Sequence, residues 1–319
     1  MNRVVRTPAK VNLSLLVGPV AADGYHPLST VFVPIGLYDE LEFDLAVAPA
    51  AAFAQPAAPD RRLEVRCPGI EQGANLVTRA VRAVESLTGW VVTGSIVVRK
   101  DIPVGAGLGG GSSDAAVVMN RVGEMIEREG GPRIEAVALA RMARGLGADV
   151  PFFLAPRPAL AAGVGDVLEP LPLPVMQLVL LLPECPLSTG EVYRTFDAVS
   201  GGEPLDRFEE RRRRAESAWR GLVQTGSAGG REPATVAPPA VVSGVAALLE
   251  NDLERSSFHL VPALADLRAL LLRSGALGAL MSGSGPTVFG VYASADAAGA
   301  AVGGLVQSGR RAMAVETLA

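Results

Sequence analysis

The sequence predicts a mixed fold of helices and strands, organised in two domains and carrying a loop that binds phosphate. The chain has 319 residues, enough for one large domain or two of ordinary size. Segments whose apolar residues have the spacing of strands alternate with segments that have the spacing of helices. The third observation is a glycine-rich stretch, residues 103–116, that leads directly into a helical segment.

The glycine-rich stretch has the chemistry of an anion site. Residues 105–111 include five glycines in seven positions, so the backbone can turn sharply, adopt positive φ and approach another group without a Cβ. Ser112, Ser113 and Asp114 then supply N-cap chemistry for a helix predicted over 115–129. Because a helix N-terminus presents unpaired N–H groups and the positive end of a dipole, this arrangement most often binds phosphate.

Other known phosphate loops match this stretch less well. The Walker loop needs Gly-Lys-Ser/Thr at the helix entry, and the stretch contains no lysine. Gly105, Gly107 and Gly110 match the dinucleotide pattern, but residues 99–103 separate the glycines from the preceding strand. The acidic candidate of that pattern, Glu129, lies at a helix end rather than at the end of a strand. A flexible surface loop is the remaining alternative.

Composition narrows the class of protein. Charged residues make up 19% of the chain and hydrophobic residues 49%, as in a globular rather than a disordered protein. A net charge of −4 gives no basic surface, so we expect no nucleic-acid partner. Cys67 and Cys185 form neither a disulfide framework nor a metal cluster. The sequence shows no signal-peptide pattern and no apolar run long enough to span a bilayer, so we expect a cytoplasmic protein without a membrane partner.

The part of the chain before the glycine-rich stretch consists mainly of predicted strands. Asn75 is placed to cap a helix that runs to about Leu87. Residues 46–60, rich in alanine and proline, are predicted to form a loose connection. The predicted strands are 4–6, 11–17, 29–38, 39–45 and 90–98.

The part after the stretch alternates between helices and strands. Prolines within 155–162 predict a domain boundary. The charge-rich run 207–214 is predicted to be a solvated helix face and 224–239 a loop, with no functional residue in either. The predicted elements are an amphipathic helix over 134–146, a buried strand over 176–182 and a helix over 261–273.

Two charged side chains fall where their apolar neighbours predict burial. Lys10, one of only two lysines, interrupts an apolar strand and is followed by the polar Asn12. Asp149 comes after a helix-ending glycine but is flanked by Val150 and Phe152, which places its carboxylate at a pocket wall. The ordinary alternative for either residue is a solvated surface charge.

Several motifs resemble those of the GHMP kinases. Residues 103–116 resemble the phosphate-binding loop of that family, and 8–13 are similar to its first motif. Residues 147–153 resemble the motif that carries the catalytic aspartate, and 281–289 resemble the third motif. A segment that some members use for a cytidine group also occurs, at 22–28, so five motifs stand in family order.

The resemblance implies an α+β fold of two domains. The N-terminal domain would be like ribosomal protein S5 domain 2, and the C-terminal domain would be ferredoxin-like. We therefore expect an ATP-binding domain over 1–158 and a C-terminal GHMP kinase domain over 159–319.

The resemblance also implies ATP and Mg²⁺ as cofactors. Lys10 would hold the acceptor oxygen and a carboxylate base, and Asp149 would be the base that takes the hydroxyl proton. No metal ligand is assigned, and a contact of Ser112 or Ser113 with Mg²⁺ stays open. The residues expected to bind ATP are Pro103, Val104, Gly105, Ala106, Gly107, Leu108, Gly109, Gly110, Gly111, Ser112 and Ser113.

The segment Asp23-Gly24-Tyr25-His26 implies a small-molecule substrate with a cytidyl group. By the resemblance, Tyr25 would stack on the base and His26 would hydrogen-bond its edge. Asn12, Thr189 and Tyr193 complete the expected substrate residues, with Tyr193 as a hypothetical second stacking ring. We expect an ATP-dependent kinase that phosphorylates a hydroxyl of this substrate, as a monomer or weak homodimer.

Three other functions remain as alternatives. Another GHMP small-molecule kinase is disfavoured because Tyr25 and His26 are present. A nucleotide-binding module without catalysis is disfavoured because Lys10 and Asp149 are present. A dinucleotide oxidoreductase is the least favoured and would bind a nicotinamide cofactor rather than ATP.

Overall fold

A computed structural model gives the structure of the chain as two compact units. It describes residues 4–22, 24–52, 63–69, 75–185, 187–200, 203–226 and 236–319. The first unit comprises residues up to Ala9, Leu37–Val104 and Gly109–Pro156, and the second comprises Lys10–Gly36, Gly105–Leu108 and Arg157–Ala319. The predicted sequential division at residue 158 stays a prediction.

Two long neighbouring strands, β1 (Val4–Val17) and β2 (Leu28–Pro49), contribute to both units. The predicted breaks within 7–10 and after residue 38 are wrong, as is the loose connection up to Pro49. Pro8 is tolerated in β1 because the neighbour on its other side, β8 (Glu250–Asn251), pairs only with Ser14 and Leu15, so no ladder bond is lost at Pro8 among the described strands.

The first unit combines the end of β2 with two further strands and four helices. These elements are β3 (Leu63–Arg66), α1 (Leu76–Thr88), β4 (Trp90–Arg99), α2 (Gly110–Arg128), α3 (Ala136–Leu146) and α4 (Val150–Phe153). The strand β4 pairs with β3 in parallel and with β2 in antiparallel fashion. The helix α1 begins as predicted, because the Asn75 side chain accepts a hydrogen bond of 2.9 Å from the N–H of Val77.

The helix α3 exists where the sequence predicts it, and it has one covered side, on which Leu139, Met142 and Leu146 are half-buried. Of its residues only Ala143 is buried, and the Val137 side chain is 73% exposed. The helix ends at Gly147, as expected, while Gly145 lies inside it. Apolar spacing thus predicted the helix and its covered side, but Val137 and Ala140 lie outside that side.

The second unit contains two groups of strands. The strand β5 (Ala159–Ala162) pairs in antiparallel fashion with β2 and with β6 (Val167–Pro170). A separate sheet has the order β11-β7-β10-β9, formed by β7 (Gln177–Leu181), β9 (Gly278–Met281), β10 (Val288–Tyr292) and β11 (Ala312–Glu316). The helices are α5 (Thr189–Ser200), α6 (Leu205–Gly226), α7 (Pro239–Ala247), α8 (Glu254–Leu260), α9 (Ala263–Arg273) and α10 (Ala295–Gln307). No helix in the described ranges has the length and apolar character needed to cross a membrane.

The arginine-rich run lies on α6, and its prediction as a solvated face is wrong for part of it. Phe208 and Trp219 of this helix are fully buried, so α6 belongs to the core of the second unit. Arg211, Arg212 and Arg214 all form ion pairs with carboxylates; Arg211 and Arg212 are half-buried, and Arg214 is exposed. The predicted loop over 224–239 is also shorter at both ends, because α6 reaches Gly226 and α7 begins at Pro239; residues 227–235 lie outside the described ranges.

Candidate active site

Lys10 is a buried cation on β1, in the second unit. Its residue is 3% exposed, and its Nζ donates a hydrogen bond of 2.7 Å to Oδ1 of Asn12. The Asn12 amide in turn donates to the hydroxyl of Thr30, at 2.8 Å. The Lys10 Nζ also lies 5.2 Å from the centre of the Phe32 ring. These contacts fix the direction of the ammonium, which is what a charge at a reaction centre requires.

The middle of the glycine loop is bound to β1 and to the turn between β9 and β10. The N–H of Lys10 donates to the carbonyl of Leu108 at 2.9 Å. The hydroxyl of Ser282, in the third motif, donates to the carbonyl of Gly107 at 3.0 Å. Three motifs that are far apart in the sequence therefore meet within the second unit.

Glycines make this close approach possible. Gly283 has φ +58°, and a Cβ on it would lie 3.4 Å from Oδ1 of Asn12 and 3.5 Å from Nζ of Lys10. A Cβ on Gly107, which has φ +76°, would overlap the carbonyl oxygen of Ser282. A side chain at Gly107 would force the two loops apart, whereas one at Gly283 would lie against the Lys10 ammonium and be strained by the positive φ.

The helix α2 begins earlier than the sequence predicts. Gly109, with φ +72°, is its N-cap residue, and no side chain caps the helix. Ser112, Ser113 and Asp114 therefore lie in the first two turns, and the prediction that they form the cap is wrong. The glycine at 109 lets the chain enter the helix directly, which leaves the first N–H groups without a side-chain cap and suited to an anion.

The predicted ATP-binding residues differ widely in exposure. Ser113 is fully buried, and its hydroxyl has no hydrogen-bond partner among the described residues. A buried, unpartnered oxygen at the start of α2 fits a phosphate or a cation ligand. The exposed members are Val104, Gly105 and Gly111, the half-buried ones are Pro103, Gly107, Gly109 and Ser112, and the buried ones are Ala106, Leu108, Gly110 and Ser113.

A buried ionic network in the first unit holds both ends of the glycine loop, and the sequence analysis missed it. Lys100 binds the carboxylates of Asp39 and Asp114, the latter at 2.9 Å. Asp39 also accepts the N–H groups of Asp101 and Ile102, at 2.8 and 2.9 Å, just before the loop. The one available signal was the rarity of lysine in this chain.

Burial and neighbouring charges shift the pKa values of Asp114 and Lys100 in this network. Burial raises the pKa of Asp114, the charge of Asp39 raises it further, and Lys100 opposes both effects. Burial works against the charge of Lys100, but the two carboxylates outweigh it and raise the pKa of Lys100. The hydroxyl of Thr7 donates to the other oxygen of Asp114 at 2.7 Å. The network thus ties the second turn of α2 to β1, β2 and the end of β4.

Asp149 lies in the first unit, at the start of α4. Val150, Phe152 and Phe153 around it are buried, as their apolar character predicts, and Asp149 itself is half-buried. The structure therefore places this carboxylate at the edge of a packed apolar cluster. Its catalytic partnership with Lys10 stays a prediction.

The residues predicted to hold a cytidyl group have different surroundings within the second unit. The Tyr25 side chain is 65% exposed, while His26 is buried. The Nδ1 atom of His26 lies 2.8 Å from the carbonyl of Gly18, and its Nε2 lies 3.4 Å from a carboxylate oxygen of Asp197. The ring of Tyr193 lies 5.3 Å from that of His26.

The remaining substrate prediction concerns Thr189, at the start of α5. Its hydroxyl lies 2.8 Å from that of Ser284, in the third motif. Thr189 is therefore next to the turn that also approaches Lys10. Asp23, the first residue of the predicted cytidyl segment, lies outside the described residues.

Comparison with known proteins identifies relatives along most of the chain. The model of the GHMP kinases N terminal domain matches residues 75–156, and the model of the GHMP kinases C terminal matches residues 241–310. The 4-diphosphocytidyl-2-C-methyl-D-erythritol kinase of Anaeromyxobacter dehalogenans (strain 2CP-C) is 38% identical over 300 residues, which are 92% of this chain and 81% of that protein. The protein of the same name from Pelobacter propionicus is 35% identical and covers 98% of both chains.

Solved structures of kinases are also similar to this chain over nearly its whole length. A crystal structure of 4-(cytidine 5'-diphospho)-2C-methyl-D-erythritol kinase is 32% identical, with a TM-score of 0.69 and coverage of 99% of both chains. The homoserine kinase of Cytophaga hutchinsonii has a TM-score of 0.62 at 18% identity, covering 100% of this chain and 95% of its own. The second likeness is one of fold alone.

Proposed function

The chain belongs to the GHMP kinases, and from that premise we propose that it phosphorylates the 2-hydroxyl of 4-diphosphocytidyl-2-C-methyl-D-erythritol with ATP. This reaction belongs to the non-mevalonate route to isoprenoid precursors. The observation that carries the proposal is the meeting of the first motif, the glycine loop and the third motif around the buried ammonium of Lys10. The relatives of this chain that bear the name of that kinase support the choice of substrate.

The phosphates of ATP bind to the glycine loop and the start of α2 in this proposal. The loop supplies backbone N–H groups, and the uncapped helix end supplies the positive end of its dipole. Mg²⁺ offsets the negative charge of the phosphate oxygens. The unpartnered hydroxyl of Ser113 fits a place beside either group.

Asp149 and Lys10 have separate tasks in the transfer. Asp149 accepts the proton of the acceptor hydroxyl while the hydroxyl oxygen forms its bond to the γ-phosphorus and the bond to ADP breaks. Lys10 keeps its proton, orients the acceptor oxygen and stabilises the negative charge that develops around it. Asn12 contributes by holding the Lys10 ammonium through the 2.7 Å hydrogen bond.

Substrate choice depends on the cytidyl group. Tyr25 stacks on the base and His26 contacts its edge, while Thr189 and Tyr193 on α5 complete the site. Tyr25 is 65% exposed, so a ligand can reach its side chain. We place the enzyme in the cytoplasm, as a monomer or weak homodimer without nucleic-acid or membrane partners; its two free cysteines suit a reducing compartment.

A substrate panel tests this proposal. ADP release would be followed with Mg²⁺, ATP and, in turn, the cytidyl alcohol, mevalonate and homoserine. Turnover with the cytidyl alcohol alone is the expected result. Turnover with mevalonate or homoserine instead would contradict the choice of substrate while leaving the family intact.

A further inference from the structure

A cavity of about 400 Å³ lies in the second unit. None of its lining residues is assigned to ATP or to the cytidyl group, although the ring of Phe196 lies 5.9 Å from that of His26. The cavity is formed where the end of α5 meets the start of α6 and the segment from β8 into α8. Its volume is that of a site for a small organic molecule. The apolar side of the wall is formed by Phe196, Val199 and Pro204, and the polar side by Glu203, Arg207, Arg211, Asp252, Arg255 and Ser256.

Both carboxylates of the cavity are paired with Arg211, which also lies 3.5 Å from a carboxylate oxygen of Glu250. Arg211 donates to both oxygens of Asp252 at 2.7 Å and to Glu203 at 2.9 Å. Asp252 also accepts the N–H of Val17, at 2.7 Å. Arg211 holds both acids in place, and the bond to Asp252 raises the pKa of Arg211.

Two other guanidinium groups of the same cavity are not neutralised. Arg207, from α6, and Arg255, from α8, are exposed and have no ion pair or hydrogen bond with any described residue. Other arginines of α6 differ in this respect, since Arg212 and Arg220 each bind a carboxylate at 2.7 Å. Two free guanidinium forks beside one cavity match the oxygens of a phosphate or diphosphate group.

The cavity also has a buried hydroxyl group. Ser256 is only 1% exposed and lines the cavity, yet its hydroxyl has no partner among the residues that the structure describes. Because Ser256 lines the cavity, its hydroxyl can form a hydrogen bond with a molecule bound there. We propose that this cavity binds a small organic phosphate or diphosphate, whose oxygens bind Arg207, Arg255 and Ser256 and whose apolar part packs on Phe196.

Calorimetric titration of the full chain with inorganic pyrophosphate tests the proposal. ADP is kept at saturation so that the glycine loop is already occupied, and divalent cations are left out. Wild-type protein binds pyrophosphate, and the double variant Arg207→Gln/Arg255→Gln binds it at least about tenfold more weakly, since each lost charged hydrogen bond has a large effect. The variant Ser256→Ala shows a smaller loss, of about threefold or more.

The matched control is Arg213→Gln, an exposed arginine of the same helix that does not line the cavity. It keeps wild-type affinity if the effect comes from the cavity rather than from the overall charge. The proposal is overturned if wild-type protein shows no binding, if the double variant binds as tightly as wild type, or if sulfate binds as tightly as pyrophosphate. Calorimetry needs no turnover, so the result does not depend on the proposed function.

Discussion

Tyr25 and His26 are neighbours in the sequence but occupy different surroundings. Tyr25 is largely exposed, so its side chain has little part in the folded core. His26 is buried and contacts Gly18 and Asp197 through its two ring nitrogens. A change at position 25 therefore reports on ligand binding, whereas a change at position 26 would also disturb packing.

Replacing Tyr25 by alanine should weaken binding of the cytidyl substrate and leave ATP binding unchanged. Loss of one stacking ring is expected to raise KM for the cytidyl substrate about tenfold or more. Initial rates with each substrate varied in turn measure both constants. An unchanged KM for the cytidyl substrate, or an equal rise in KM for ATP, would speak against the stacking role.

At the residue scale, Asp114 gives a prediction about pH. Its pKa is raised by burial and by Asp39, while Lys100 opposes the shift, and burial also raises the pKa of Cys67 nearby. A carboxyl group with a raised folded pKa adds stability below its ordinary value of about 4, and that contribution is lost as pH rises through the folded pKa. Ionisation of Asp114 is therefore less favourable in the folded protein than in the unfolded chain.

The variant Asp114→Asn should remove the contribution of this carboxyl group to the pH dependence of folding stability. Lys100 keeps its bond to Asp39, and the new amide oxygen can still accept from Thr7. The stability of the variant relative to wild type should increase as pH rises from about 4 to about 8. Urea unfolding at several pH values measures the difference, and a difference that stays constant with pH would refute the assignment.

At the scale of elements, local sequence signals located most helices and strands but misjudged some of their ends. Ser112, Ser113 and Asp114 are good capping residues, yet Asp114 binds Thr7 and Lys100 instead, and Gly109 begins the helix. The side-chain partners come from residues far away in the sequence. Local propensity carries no information about such partners.

The long strands and α6 illustrate the same limit. The predicted strand bounds separated residues at Lys10 and at Asp39, but both residues stay within one strand. Lys10 binds Asn12 in its own strand, and Asp39 accepts a tertiary hydrogen bond from Asp101. Phe208 and Trp219 are buried although arginines surround them in the sequence. A charge-rich segment can therefore be a core helix when its few apolar residues share one face.

Two glycines of the loop allow a paired test at this scale. Gly105 and Gly107 both have positive φ, but only a Cβ at Gly107 would overlap a neighbour, the Ser282 carbonyl; one at Gly105 meets nothing within 4 Å. Without nucleotide, Gly107→Ala should lower the melting temperature by several degrees more than Gly105→Ala, because only the former adds a steric clash to about 1 kcal/mol of backbone strain. Equal decreases in melting temperature would mean that backbone strain alone causes the destabilisation. The close approach of the two loops would then be wrong.

At the scale of the whole molecule, the order of the motifs predicted the family and its two-domain α+β fold, and both are confirmed. The candidate site was predictable where motif residues carry the chemistry, as with Lys10 and the glycine loop. The network of Lys100, Asp39 and Asp114 was not predictable, because these residues can be recognised as a network only from the distances between them in the folded protein. The cavity beside Arg207 was missed for the same reason.

The role of Asp149 is the most direct test of the account. Single-turnover phosphoryl transfer from ATP to the cytidyl alcohol would be measured for wild type and Asp149→Asn, with ATP affinity determined separately. The variant should bind ATP normally but transfer the phosphoryl group about 100-fold or more slowly, because the general base is lost. Transfer at a near wild-type rate would contradict the assignment of Asp149 as the base and with it the proposed mechanism.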